Sequence, residues 1–285
     1  MVEFEVPDVD YTRYSNRQLA AVPLAILALA LLIIAGHFLV TGTPVSLGLA
    51  FTGGTELRIA TTDGPAEIRQ TFDADVESIN PVGSTGDEYI VTFQPTDADI
   101  EGQARAAGYE VISNQQRSAS FGAGSQQQAF IGLVVAFAGM SLLVFLLFRT
   151  FVPSIAVVAS AFSDIMIPVA LMDVFGIELS LGTVAALLML IGYSVDSDLL
   201  LNNHILRRRG DFYESTYRAM RTGVTMTLTS ISAMTAMTIV ATFFGIELLS
   251  AIGLILVFGL VADLMNTYLL NVSLLRYYKY EAIGS

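Results

Sequence analysis

The sequence predicts a membrane all-α bundle of six transmembrane helices, with one α+β domain inserted between the first and second helices. Of its 285 residues, 54% are hydrophobic and only 14% are charged, as expected for an integral membrane protein. Six stretches reach the roughly 20 apolar residues that a helix needs to cross a bilayer. A single long polar segment, from Thr41 to Gly124, interrupts them.

The six apolar stretches fix the domain plan. They lie near Leu19–Val40, Gln128–Phe148, Val152–Val174, Leu181–Leu206, Thr222–Phe244 and Glu247–Leu270. No small-residue cleavage site follows the first stretch, so we expect a retained anchor and not a signal peptide. The predicted parts are an N-terminal tail (1–18), the first helix (19–40), the polar domain (41–124), helices two to six (125–275) and a C-terminal tail (276–285).

Basic residues near the span ends set the orientation. With the N-terminus in the cytoplasm, ten of the 14 basic residues fall inside: Arg13, Arg17, Arg149, Arg207, Arg208, Arg209, Arg218, Arg221, Arg276 and Lys279. The opposite hairpin loops carry Asp173, Glu178 and Glu247 and no Lys or Arg. We therefore predict a multi-pass protein of the cytoplasmic membrane, with both termini cytoplasmic and the polar domain extracytoplasmic.

The polar domain has the pattern of a ferredoxin-like fold. Runs at 55–61 and 88–93 alternate like half-buried strands, and "DVESINPV" and "YEVIS" supply two more. Segments 65–74 and 96–107 resemble helices, the second with Thr96 or Asp97 as its N-cap. The resulting order is β-α-β-β-α-β. The Gly/Ser/Gln stretch 118–128 is expected to be a flexible joint to the second span.

Composition excludes several functions. A net charge of −12 and a pI of about 4.5 argue against a nucleic-acid partner. The absence of cysteine excludes a disulfide framework and a thiolate metal site. No P-loop pattern and no G-x-G-D pattern occur, which argues against nucleotide hydrolysis and against an intramembrane aspartyl protease. We therefore predict no catalytic residue, no metal and no cofactor. The acid-rich, lysine-poor usage fits a high-salt cytoplasm, although genomic base composition gives the same pattern.

Four carboxyls fall inside the spans: Asp164, Asp196, Asp198 and Asp263. Asp196 lies 11 residues before Arg207, roughly 16 Å along a helix and so near the bilayer midplane. Helical residues advance by about 100°, which separates Asp196 from Asp198 by about 200°. Two polar stripes result, and they predict a central helix that is enclosed by protein on both sides.

A charged aspartate at mid-helix costs roughly 2.5–3.5 kcal/mol on insertion scales. This cost favours protonation, and carboxyls that exchange a proton near neutral pH are what an ion relay needs. The alternative is that neutral aspartates hydrogen-bond between helices as structural glue. Both readings stay open for all four residues.

The fifth span adds a hydroxyl stripe of Thr222, Thr225, Thr229 and Ser232. It could line a wet path beside the aspartates, or the hydroxyls could bond their own i−4 carbonyls. Arg221, which precedes the stripe, is either a movable counter-charge or a topology anchor.

Three motifs, in order and within this topology, resemble the SecF family of protein-export membrane proteins in its archaeal form. They are "LAFTGGTELRI" (49–59), "GYSVDSD" (192–198) and "RTGVTMTLTS" (221–230). The resemblance covers nearly the whole chain. It implies a partner, SecD, in a twelve-span unit of the resistance-nodulation-division type. It further implies association with the Sec translocon (a SecYE-type channel) and use of an ion gradient to help unfolded preproteins cross.

The resemblance also assigns roles to residues. Gly192, Tyr193 and Ser194 match the family's fourth-span relay motif G-Y-S-x-N-D-[ST], but Asp196 stands where that Asn would be and Ser197 where that Asp would be. Which of Asp196 and Asp198 serves as relay, and whether a proton relay is kept, therefore stays open. Arg221 matches the arginine that opens the fifth-span motif. Gly53 and Gly54 would support the base of the domain, or form a simple turn.

Two other functions are compatible with the spans. A small-molecule or lipid exporter of the same superfamily would share the relay, but the small polar domain, with few aromatics, makes a poor multidrug pocket. A passive translocon scaffold would tolerate loss of Asp196 and Asp198 together. The sequence does not distinguish H⁺ from Na⁺ as the coupling ion.

Overall fold

The computed structural model describes residues 10–82, 87–207 and 211–282. Within these ranges, six helices are long and apolar enough to cross a membrane. Arg208 and Arg209, which contribute to the predicted orientation, lie outside the described residues, as do parts of both predicted tails. The spanning helices are α1 (Asn16–Thr41), α5 (Ala119–Phe148), α6 (Phe151–Val174), α7 (Leu181–Arg207), α8 (Phe212–Phe243) and α9 (Glu247–Met265), the last of which continues through a π-helical turn (Asn266–Asn271) into α10 (Val272–Tyr277).

The polar segment forms a small antiparallel sheet domain. Its elements follow a short helix α2 (Leu49–Thr52) and are β1 (Gly54–Ala60), α3 (Pro65–Thr71), β2 (Val76–Val82), β3 (Glu88–Phe93), α4 (Ile100–Ala106) and β4 (Glu110–Arg117). The strand order is β2-β3-β1-β4. Helices α3 and α4 cover one face around a core that includes Leu57, Ile68 and Phe93. The N-cap of α4 is Asp99, and not Thr96 or Asp97 as the sequence predicted. The Asp99 side chain accepts a hydrogen bond from the Gly102 amide at 2.9 Å.

The glycines at the start of β1 are required by the backbone. Gly53 and Gly54 have φ angles of +73° and +128°, which residues other than glycine rarely adopt. A Cβ on Gly54 would also overlap the carbonyl oxygen of Phe93 on the paired strand β3. The pair therefore sets the entry of the chain into the sheet.

The predicted flexible joint at 118–128 is wrong, because α5 already begins at Ala119. Small residues serve close packing here, since a Cβ on Gly122 would lie 2.6 Å from the carbonyl oxygen of Phe51 on α2. The start of α5 is thus packed against the segment that leads into the sheet domain.

The fifth span is longer than predicted. The sequence places the start of this span near Thr222, but α8 already begins at Phe212 and runs unbroken to Phe243, with Asp211 as its N-cap. No proline interrupts this stretch, and a single glycine costs only about 1 kcal/mol in a helix. Gly223 instead gives room to the Tyr268 hydroxyl on the π-helical turn.

Burial identifies the centre of the bundle. In their most apolar windows, α6, α7 and the span that begins with α9 are 61%, 50% and 39% buried, whereas α1, α5 and α8 are 17%, 6% and 11% buried. Helices α6, α7 and α9 therefore form the inner layer. We call the bundle end that carries the domain the sheet side, and the other end the far side.

Candidate functional site

Three of the four predicted intramembrane carboxyls meet in the inner layer. Asp164 on α6, Asp198 on α7 and Asp263 on α9 are each no more than 3% exposed. The groups that donate hydrogen bonds to them, among the described residues, are neutral hydroxyls and amides. We call these three residues the carboxyl network.

Asp164 is held by two donors from two other helices. The Ser194 hydroxyl on α7 donates to Oδ2 at 2.6 Å, and the Asn266 amide donates to Oδ1 at 2.6 Å. Ser194, a residue predicted to assist the relay, therefore links α6 to α7 directly.

One hydroxyl connects the other two carboxyls. Thr267 Oγ1 lies 2.9 Å from Asp198 Oδ1 and 3.3 Å from Asp263 Oδ1. Asn271 adds a bond of 2.8 Å to Asp198 Oδ1. The Ser197 hydroxyl lies 2.6 Å from Asp263 Oδ1 and 2.9 Å from the carbonyl oxygen of Ser194. The network is thus continuous from α7 to α9.

The π-helical turn supplies the donors that sequence reasoning missed. Asn266, Thr267 and Asn271 all lie on it. Such i→i+5 turns are rare and occur frequently at functional sites. A signal was available in the sequence, because Asp263, Thr267 and Asn271 follow one another at intervals of four and so share a helical face.

Asp196 is not part of the network. It lies on an exposed side of α7, as do Gly192 and Tyr193. The predicted enclosure of α7 is therefore true of the Asp198 side only, within this single chain. Gly192 has nothing within 4 Å of an added Cβ, so no contact in the described chain requires a glycine there.

The hydroxyl stripe of α8 also lies on an exposed side. Thr225 donates to the Arg221 carbonyl at 2.7 Å and Thr229 to the Thr225 carbonyl at 2.8 Å. Ser232 donates to the Leu228 carbonyl at 2.8 Å. Each hydroxyl is satisfied by its own helix, as the alternative interpretation predicted. The Arg221 side chain is exposed at the far-side end of the stripe.

A cavity of about 780 Å³ separates the open face of the sheet from the ends of the inner helices. Its charged lining comprises Glu56 and Arg58 on β1, Arg117 on β4, Glu178 in the α6–α7 loop and Glu247 at the start of α9. Arg58 also pairs with Glu88 at 2.6 Å. Beside the cavity, Gly48 donates to the Leu179 carbonyl at 2.9 Å and Leu179 to the Ser46 carbonyl at 2.8 Å. These bonds tie the segment before the sheet domain to the α6–α7 loop.

Burial raises the pKa of Glu56 and of Glu178 above the ordinary value of 4.5. For Glu178, the neighbouring carboxyls of Glu77, Glu56 and Glu247 raise the pKa further. A carboxyl whose pKa is raised in the folded state binds its proton more tightly there than in the unfolded chain. Its contribution to stability is therefore complete below the ordinary value and is lost as pH rises through the raised pKa.

We expect the sheet domain to dock most tightly on the bundle at acidic pH and to loosen as pH rises above 4.5. Glu178→Gln removes one of the repelling charges and should flatten this dependence. Because the chain lacks cysteine, spin labels at Ser113→Cys and Ser250→Cys can report the distance across the cavity. Glu101→Gln on α4 is the matched control and should keep the wild-type pH profile. An unchanged distance from pH 4.5 to 8 would contradict the expectation.

These features define a class: a multi-pass membrane protein with a carboxyl network in its inner helices and a small antiparallel sheet domain. Solved structures share the fold. The crystal structure of SecDF, a translocon-associated membrane protein from Thermus thermophilus, matches 99% of the chain with a TM-score of 0.75 at 18% identity. SecDF in its super-membrane-facing form matches with a TM-score of 0.65. In both, the chain spans 40% of the length of the solved protein.

Sequence comparison gives the family. Residues 100–281 match the family described as protein export membrane protein SecD/SecF, C-terminal. The protein-export membrane protein SecF of Haloferax volcanii is 68% identical over 99% of both chains, and that of Haloquadratum walsbyi is 65% identical over the full length of both. SecF of Pyrococcus furiosus is 38% identical over 90% of this chain. The chain belongs to the SecF family of protein-export membrane proteins.

Proposed function

We propose that the chain is the SecF-like subunit of a SecD/SecF complex that helps unfolded preproteins cross the cytoplasmic membrane through the Sec translocon, a SecYE-type channel, driven by an ion gradient. The observation that carries the proposal is the carboxyl network of Asp164, Asp198 and Asp263. Buried carboxyls bonded only to neutral donors are costly in a membrane, and they commonly mark ion pathways there.

The proposed orientation places the sheet side outside the cell. Basic residues near the span ends concentrate at the far side, and such residues favour the cytoplasm. The sheet domain then lies outside the cell, between the first two spans. Its β-α-β-β-α-β order and its strand order β2-β3-β1-β4 support a ferredoxin-like fold.

The exposed side of α7 is where we place the SecD partner. Asp196 would face lipid if the chain worked alone, at a cost of roughly 2.5–3.5 kcal/mol when charged. A partner helix that covers Asp196 and Tyr193 removes that cost, and the open space at Gly192 lets it approach closely. We therefore assign Asp196, with Arg221 and Thr225 on α8, to the subunit boundary.

Counting hydrogens supports a relay through Asp263 and Asp198. Thr267 has one proton to donate, yet its hydroxyl lies within hydrogen-bond reach of both carboxyls. If Asp263 holds a proton, it donates to Thr267, and Thr267 donates to Asp198. A proton then passes from one carboxyl to the other by reversing these two bonds. Ser197 holds Asp263 in place, and Ser194 holds the neighbouring Asp164.

The relay would act through the position of the outer domain. One charge that crosses the membrane releases about 2.3 kcal/mol per 100 mV, which is enough to bias two orientations and too little to drag a chain in one step. The bonds of Leu179 with Ser46 and Gly48 connect the α6–α7 loop to the segment before β1. A shift of α6 or α7 is transmitted to the domain by this connection.

Depletion tests the function. Cells that lack the chain should accumulate unprocessed preproteins, and inverted vesicles made from them should translocate more slowly. Adding back the chain with SecD should restore the rate only while an ion gradient is present. Restoration that persists after an ionophore collapses the gradient would contradict the coupling but not the subunit role.

A passive scaffold is the second candidate, and the burial of the network favours it. Each carboxyl already has hydrogen-bond partners from another helix, as interhelical glue requires. A scaffold needs the bonds and not the titration, so it should keep full activity when an aspartate is replaced by asparagine.

A further inference from the structure

In and around the carboxyl network, several fully buried polar atoms have no hydrogen-bond partner among the described residues. Two kinds occur in this group. The carbonyl or carboxyl oxygens belong to Asp198 (Oδ2), Asn202, Asn266 and Asn271, and the remaining atoms are the Asn202 amide nitrogen and the hydroxyls of Ser160 and Ser163. The Ser160 hydroxyl is close enough to Asp164 and Asp198 to interact with both, but it forms no hydrogen bond with either. Asp198, Asn202 and Asn271 are each 0% exposed. Native proteins leave few such groups, and each one indicates strain, a functional role or a bound water or ion.

Two of these residues are neighbours of Asp198. Asn202 lies four residues after Asp198 on α7, so the two side chains share a helical face. Asn271 comes from the π-helical turn, and its amide nitrogen donates to Asp198 at 2.8 Å. The oxygen of that same amide is one of the unpartnered atoms. Two buried amide oxygens without a partner among the described residues thus belong to residues that adjoin Asp198, one by a hydrogen bond and one by position on α7.

We propose that Asp198, Asn202 and Asn271 bind a monovalent cation of the size of Na⁺. Oxygen atoms from carboxylate and amide groups are the ligands that hard cations prefer. Buried charges are paired or bound to a cation, and the described donors to Asp198 are neutral. A single carboxylate among neutral oxygens matches one positive charge better than two. The existence of this cation site does not depend on the proposed function. Its use as the site of the coupling ion does rest on the proposed function.

Binding of ²²Na⁺ tests the site. The complete chain is purified with its SecD partner in lipid nanodiscs, with choline chloride holding the ionic strength constant. We expect displaceable ²²Na⁺ in the wild type and a loss of affinity of at least tenfold in Asn202→Ala. Asn271→Ala, on a different helix, should have the same effect and serves if the first variant fails to assemble. Asn114→Ala, exposed on β4 of the sheet domain and away from the proposed SecD contact, is the control and should bind like the wild type.

Two results would overturn the proposal. Absence of displaceable ²²Na⁺ in the wild-type complex would mean that the unpartnered atoms bond water only. Retention of binding in both Asn202→Ala and Asn271→Ala would place the ion elsewhere in the complex. Because no export is measured, either result leaves the proposed function standing, and a failed export assay leaves the site standing.

Discussion

Asp198→Asn is expected to reduce gradient-dependent translocation to the rate of vesicles that lack the chain, a loss of about tenfold or more, because an amide cannot exchange the proton that a relay requires. The fold should survive the change. Asp198 Oδ1 accepts from Thr267 and Asn271, and an asparagine carbonyl can accept both bonds. The new amide nitrogen takes the place of Oδ2, which has no partner among the described residues. Initial rates in inverted vesicles, with and without an ionophore, measure the effect.

The matched control is Asp173→Asn at the sheet-side end of α6. Asp173 lies 2.5 Å from His37 and is outside the carboxyl network. This variant tests whether the loss of any carboxyl from a spanning helix slows export. We expect it to retain most of the gradient-dependent rate. Wild-type rates in Asp198→Asn, at equal abundance in the membrane, would favour the scaffold over the relay.

Removal of the sheet domain should abolish export assistance while leaving the six spans assembled. Gly54 on β1 is paired with Arg117 on β4, so their Cα atoms lie about 5 Å apart. A short Gly/Ser linker can therefore replace residues 55–116 without strain. The contact of Phe51 with Gly122 lies outside the excised segment and should hold the start of α5 in place. Preprotein translocation in depleted cells measures the effect.

Two measurements make this result interpretable. The excised chain must still co-purify with its SecD partner, and its abundance in the membrane should match that of the wild type. Export at the wild-type rate by such a chain would show that the domain does not handle the preprotein. It would also remove the proposed link between the α6–α7 loop and an outer-domain movement.

The sequence predicted most of the fold because its signals are local. Twenty apolar residues in a row have few alternatives to a membrane helix, and alternating strands with Gly53 and Gly54 before the first of them indicate a sheet domain. Errors arose where composition was read as flexibility. The stretch 118–128 is rich in Gly, Ser and Gln, yet it is helical because packing of Gly122 against Phe51 decides its conformation.

By itself, the sequence determined which carboxyls lie inside the spans and that Asp196 and Asp198 face opposite directions, since both follow from helix length and the 100° advance per residue. Only the tertiary structure decided that Asp164, Asp198 and Asp263 meet while Asp196 stays outside. The same is true of Asn266, Thr267 and Asn271, which reach the carboxyls from a π-helical turn. Their spacing put Thr267 and Asn271 on the same face as Asp263 but did not show that this face meets Asp198. The physical reason is that hydrogen bonds between helices depend on how the helices pack and rotate against one another, and periodicity along one helix carries no information about its neighbours.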